Sequence, residues 1–296
     1  MSPAAAAFTG FDPYTGKMPA SNPAITPKGR IFSATRGAEG LDCYVYVPEW
    51  RAARAIPIVC VHGISRNALE HAASFRACAD AMGAPLIAPL FQRPAFRAYQ
   101  TLGPGRTLSA LIAFERLLQR LPALIGADTG RLNLFGFSGG AQFVHRFAMA
   151  RPSRVGAIAV AAAGWYTMPD PSQRYPDGCG GMYGRFGDLE TFLSLPLRVF
   201  AGDRDTQQDG ALRRSALIDA RQGANRVERA RAFTFAINSA AAERGMPAPA
   251  SFEILPGAGH SFAECVNAGL AHRALSFFQS VAAGDGAHGR GEAPCY

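Results

Sequence analysis

The chain has 296 residues, 48% hydrophobic and 18% charged, a composition that fits a globular protein and argues against disorder. Its net charge of +8 comes from scattered arginines, since Lys17 and Lys28 are the only lysines, and with no Lys/Arg block, zinc-finger or RNA-module signature, no nucleic-acid partner is expected. The longest apolar run, residues 155–164, falls far short of the roughly 20 residues of a membrane span, and the start Met1-Ser-Pro-Ala lacks signal-peptide character, so the expectation is a soluble, cytoplasmic protein.

Residues 1–29 place Pro13, Pro19, Pro23 and Pro27 among Ala, Gly and Ser, which predicts an irregular arm. Residues 31–36 and 41–47 alternate apolar and polar side chains around Gly37-Ala-Glu-Gly40, the pattern of a hairpin. Residues 56–62 form a continuous apolar run, suited to a central parallel strand buried on both faces. A helical pattern over 68–82 stops at Gly83, and 85–89 read as a short buried strand. A loop rich in aromatics and arginines covers 91–105. Ala110, Phe114, Leu117, Leu118 and Leu121 then make an apolar helical stripe.

Strands are predicted at 132–135 and 157–163, with a helix over 141–150 between them. Residues 165–196 have weak periodicity and many Gly, Pro, Tyr and Asp, and read as a loop insertion over the sheet. A strand at 197–201, a helix at 226–244 and a last strand at 252–255 follow. Phe262, Val266, Leu270, Ala274, Phe277 and Val281 mark one final helix, and a Gly-rich tail is expected from Gly284. Strands alternating with helices imply an α/β domain over 30–283, with a mostly parallel sheet, helices on both faces and no large separate cap. Reactive groups of such sheets gather at the carboxyl ends of the strands.

The six cysteines show no C-x-x-C and no metal-ligand spacing, and no phosphate loop or G-x-G-x-x-G following a predicted strand appears, so neither a metal nor a cofactor is expected. Cys60 in a strand and Cys78 in a helix read as buried thiols. Cys179 and Cys265 fall in loops, and a bridge between them stays open.

The chemistry centres on Gly136-Phe-Ser-Gly-Gly140, a G-x-S-x-G string between a strand and a helix. There Ser138 would sit on a sharp turn with its hydroxyl projecting from the sheet, as an acyl-transfer nucleophile requires. His260, in a loop opened by Gly257 and Gly259, is the candidate base; Asp205, three residues after Gly202, is the candidate acid, with Asp203 the alternative. The amides of Gly139, at a helix N-terminus, and Ile64, after His62-Gly63, are the candidate oxyanion donors. Trp165, Tyr166, Phe91 and Tyr99 follow strands and are candidate walls of an acyl pocket, with core packing equally open for each. Arg66 and Arg93 are candidate contacts for a substrate carboxylate.

Together, His62-Gly63, Gly136-Phe-Ser-Gly-Gly140, Gly202-x-x-Asp205 and Gly257-Ala-Gly-His260 resemble an α/β-hydrolase over residues 40–283. The finer resemblance is to the serine esterase branch of poly(3-hydroxybutyrate) depolymerases and feruloyl esterases. The chain departs from that branch at His62-Gly-Ile-Ser-Arg66, where those enzymes often carry a Cys-x-Gln stretch. The resemblance implies a cofactor-independent hydrolase acting on a small or oligomeric ester. An amidase, thioesterase or acyltransferase on the same residues, or a non-catalytic binding protein of the same fold, stays open.

Overall fold

The computed structural model describes residues 28–34, 41–102, 106–181, 188–207, 210 and 212–288. Most of the expected arm, the hairpin turn at 37–40 and the end of the tail lie outside the described residues. In chain order come β1 (Ile31–Ala34), β2 (Asp42–Tyr46), β3 (Ile58–Val61), α1 (Ala68–Met82), β4 (Leu86–Leu90), α2 (Arg106–Ile125), β5 (Leu132–Phe137) and α3 (Gly139–Ala150). Then follow β6 (Val155–Ala161), α4 (Leu189–Leu193), β7 (Leu197–Gly202), α5 (Ala216–Gln222), α6 (Arg226–Ala242), β8 (Ala250–Leu255), α7 (Phe262–Asn267) and α8 (Leu270–His288).

The strands form one sheet in the order β1-β2-β4-β3-β5-β6-β7-β8. From β4 to β8 every pairing is parallel, while β1 and β2 add an antiparallel edge. The chain steps from β3 out to β4 and returns to place β5 on the other side of β3. By the general rule for open α/β sheets, such a reversal marks the carboxyl ends of the central strands as the place where a ligand site is expected.

Apolar runs on the central strands are explained by burial on both faces. On one face, Val59, Leu134 and Val160 pack with Phe114, Phe143, Phe147 and Phe233 from α2, α3 and α6. On the other, Cys60, Phe135 and Ala159 pack with Phe75, Phe277 and Phe278 from α1 and α8. The stripe predicted from Ala110 to Leu121 is buried on α2, as its spacing requires.

Three expectations change. The final stripe is split between α7 and α8, because Gly269 takes a positive φ of 88° that ends the first helix and redirects the second. The tail expected from Gly284 still begins as helix, since α8 runs to His288. Within the segment 165–196, α4 and two isolated bridges, Met168 with Gly178 and Arg174 with Gly180, give local structure that weak periodicity did not show. Cys179 and Cys265 are both free thiols, so the bridge left open between them is absent. No helix among the described residues is long and apolar enough to cross a membrane.

Candidate active site

Ser138 is the N-cap of α3, with φ 53° and ψ −113°. A side-chain-bearing residue holds a positive φ at a cost of about 1–3 kcal/mol, which the surrounding contacts must offset. Its amide donates to Ala161 O at 2.8 Å, tying the turn to the end of β6, while Gln142 N donates to its carbonyl at 3.2 Å to begin the helix. The glycines around it are required by space. A Cβ on Gly136 would stand 2.7 Å from Ala141 N, and one on Gly140 would stand 2.6 Å from His62 O. Helix α3 therefore meets β5, and the backbone leaving β3, more closely than any side chain permits.

Only 8% of Ser138 is exposed, and its Oγ lies 3.1 Å from His260 Nε2. His260 sits in the turn between β8 and α7, its ring stacked against Phe137 at 5.5 Å between centroids. Glu264 holds that turn by accepting Gly259 N–H at 2.8 Å, and Ser261 caps α7. The other ring nitrogen, Nδ1, lies 2.8 Å from Asp205 Oδ2. Asp205 follows β7 and is buried; its remaining oxygen, Oδ1, accepts from Arg226 Nη1 at 3.1 Å. Asp203 has a different partner, accepting Gly257 N–H at 2.8 Å. Of the two acids left open by sequence, it is Asp205 that meets His260.

The loop after β3 lies over the same point. A Cβ on Gly63 would be 3.4 Å from Ser138 Cβ, and one on Gly139 would be 3.5 Å from Ile64 N. The amides of Ile64 and Gly139 thus flank the serine, and neither is taken up by an acceptor among the described residues. His62 sets the direction of the first. Phe91 N–H donates to His62 Nε2 at 3.0 Å, so that nitrogen is the acceptor and Nδ1 carries the proton. Nδ1–H then donates to Gly63 O at 2.7 Å, and Arg66 N–H donates to the same oxygen at 3.1 Å. Because a peptide's C=O and N–H point oppositely, pinning the Gly63 carbonyl aims the Ile64 amide the other way. Burial pushes the His62 ring down to about 4, which keeps it neutral in this role. Tyr99 adds a further tie, its hydroxyl donating to His62 O at 2.6 Å.

The rings of the candidate wall residues pack against neighbouring side chains. The ring of Phe91 is buried and stacked on Tyr99 at 4.8 Å, and that of Tyr166 is buried and stacked on Phe233 at 4.2 Å. Trp165 is buried with Arg146 at 4.2 Å and Arg213 at 4.1 Å from its ring centre. Arg66 donates through Nη2 to the Phe96 carbonyl at 3.1 Å and lies 5.4 Å over Tyr99, so it braces that loop. Arg93 is exposed. By contrast, the half-exposed side chain of Ile64 stands at the rim beside Gly139. Sequence reasoning missed Arg226, whose only local signal is its place at the start of a helix after the N-cap Asn225. Among the described residues no group of three or more His, Cys, Asp or Glu is placed to hold a metal ion.

A scan against protein-family models and a search of curated proteins give no match. Among solved structures, the chain is similar to LpqC, a poly(3-hydroxybutyrate) depolymerase from Bordetella parapertussis. The TM-score is 0.68 and the identity 28%, over 84% of this chain and 89% of that one. It is similar to poly(aspartic acid) hydrolase-1 from Sphingomonas sp. KT-1, with TM-score 0.69 and 24% identity over 85% of this chain and 98% of that one. A hyperthermophilic esterase from Pyrobaculum calidifontis aligns with TM-score 0.53 and 18% identity, over 88% of this chain and 86% of that one. The last two likenesses speak for the fold alone. With its sheet order and these neighbours, the chain has the α/β-hydrolase fold, as its motifs implied.

Proposed function

We propose that this α/β-hydrolase-fold protein is a serine hydrolase that cleaves small or oligomeric carboxylic esters through an acyl-enzyme. The observation that carries the reading is the unbroken chain Ser138 Oγ, His260 Nε2, His260 Nδ1, Asp205 Oδ2, with links of 3.1 Å and 2.8 Å. Similarity to a poly(3-hydroxybutyrate) depolymerase supports an ester substrate.

In this reading Ser138 Oγ attacks the acyl carbon while its proton passes to His260 Nε2. Asp205 holds Nδ1–H and stabilises the imidazolium that forms. The acyl oxygen takes up the electron pair as an oxyanion, facing the amides of Ile64 and Gly139. Collapse of that intermediate breaks the bond to the alcohol oxygen, which takes the proton from His260 Nε2 and leaves as the alcohol. Water then repeats the attack on the acyl-enzyme: His260 accepts its proton, and the second collapse returns that proton to Ser138 Oγ and releases the acid. A helix N-terminus at Gly139 favours negative charge at that point throughout.

The test is pre-steady-state kinetics with p-nitrophenyl acetate and butyrate. The wild-type chain should release a burst of p-nitrophenol close to one equivalent, and Ser138→Ala should give neither burst nor turnover. Hydrolysis surviving in Ser138→Ala would overturn the assignment.

A further inference from the structure

Asp205 is gripped from two sides. Oδ2 faces His260 Nδ1 at 2.8 Å, and Oδ1 accepts from Arg226 Nη1 at 3.1 Å. Both ends of the ion pair are out of solvent, with Arg226 1% and Asp205 2% exposed. Burying two ions carries a desolvation penalty at each, so the pair is weak evidence for stability and invites a different account. Its position supplies one: guanidinium, carboxylate and imidazole form one line that ends at Ser138 Oγ. A proton arriving on His260 meets a carboxylate whose charge is already shared with a cation.

We propose that Arg226 is a positioning residue for this site, which by sharing the Asp205 carboxylate governs how readily His260 takes up the serine proton. The proposal rests on the reading of Ser138, His260 and Asp205 as the reacting unit. Arg226 itself touches no reacting atom. By taking Oδ1, Arg226 leaves Oδ2 turned toward His260 Nδ1, and it sets a positive charge on the far side of the carboxylate from the imidazole.

Among the described residues, the other groups around Asp205 do not duplicate that charge. Tyr166 is raised above its ordinary value by burial and by Asp205, and stays a neutral phenol. Cys265 on α7 is pushed up to about 12 by burial, with Asp205 and Glu264 adding to it, and stays a neutral thiol. Arg229, one turn further along α6, donates to Asp219 Oδ1 and to the Gly223 and Arg213 carbonyls. Asp203 and Glu264 accept backbone amides of the loop that carries His260. Arg226 is the cation seated directly on the acid.

The experiment uses the full chain with Arg226→Met, Arg226→Gln and Arg226→Lys. Nitrogen-15 histidine labelling follows the His260 ring through a pH titration and needs no substrate. Met and Gln should each move its midpoint up by about one pH unit, and Lys should leave it within a few tenths. The acid limb of kcat/KM for p-nitrophenyl butyrate should move with it, a loss of about tenfold at pH 6 that fades at alkaline pH. Gln keeps a hydrogen-bond donor while removing the charge, so it carries the test if the Met variant does not fold. An unmoved His260 midpoint in the neutral variants, or a loss equal at every pH, would overturn the proposal. Should ester hydrolysis survive Ser138→Ala, the catalytic reading fails while the titration still decides what Arg226 does to His260.

Discussion

His260 Nδ1 lies 2.8 Å from Asp205 Oδ2, while the Asp203 carboxylate, two residues earlier in the same turn, accepts Gly257 N–H. Two acids after one strand thus serve different ends: one orients the imidazole and the other ties the turn to the neighbouring loop. Asp205→Asn should lower kcat for p-nitrophenyl esters by about ten-thousand-fold, because an amide can favour the wrong imidazole tautomer. Asp203→Asn should stay within about tenfold of wild type. Steady-state rates of the two variants at pH 8 check this, and equal losses would contradict it.

A second expectation concerns His62, which never meets Ser138 Oγ in the proposed mechanism. Its Nδ1–H holds the Gly63 carbonyl, and through that peptide it aims the Ile64 amide. His62→Leu should lower the acylation rate by about 10–1,000-fold with little change in KM, since loss of one oxyanion donor costs roughly 3–4 kcal/mol at most. Stopped-flow acylation measures it directly. A variant that keeps the wild-type acylation rate would show that the Ile64 amide is aimed without His62.

Acid should destabilise the fold through two histidines that the mechanism leaves neutral. Burial pushes His62 down to about 4 and His71 down to about 3, against an ordinary value of 6.5. The unfolded chain therefore binds protons below pH 6.5 that the folded chain refuses, so stability falls as pH drops from 6.5 towards 4. The loss from His62 alone is about 3 kcal/mol. His71 stacks on Phe262 at 3.7 Å, and its Nε2 is buried without a partner. His71→Phe should keep the stacking, leave Tm at pH 8 within a few degrees, and raise it relative to wild type at pH 5. Thermal melts at the two pH values check the sign.

The close approach of backbone around Ser138 yields a stability prediction. A Cβ on Gly140 would stand 2.6 Å from His62 O, a backbone atom that cannot swing aside. Gly140→Ala should cost about 3 kcal/mol or more, or prevent folding, a magnitude reserved for overlaps of this kind. Denaturant unfolding measures it, and a loss under about 1 kcal/mol would mean that strand and helix can part there.

Much of the fold was legible because buried parallel strands and amphipathic helices leave strong periodic marks, as in residues 56–62 and the Ala110 to Leu121 stripe. The candidate site was legible for a related reason. Gly136, Gly140 and the His62-Gly63 pair are dictated by backbone contacts, which tolerate few residue types. What stayed hidden depends on distance across the fold. Arg226 lies 21 positions from Asp205 at the start of an unremarkable helix, in a chain where arginine is common. The rings of Phe91 and Tyr166 follow strands, as pocket walls do, yet point into the core, and no sequence pattern distinguishes the two directions. The break between α7 and α8 rests on one φ angle at Gly269, inside an apolar stripe that reads as continuous.

The most direct test of the account is labelling of the intact chain with a fluorophosphonate, read by mass spectrometry. One phosphonyl adduct per chain is expected, mapped to Ser138, absent from Ser138→Ala and strongly slowed in His260→Ala. A well-folded wild-type chain that takes no label, or a Ser138→Ala chain labelled as fast as wild type, would contradict it.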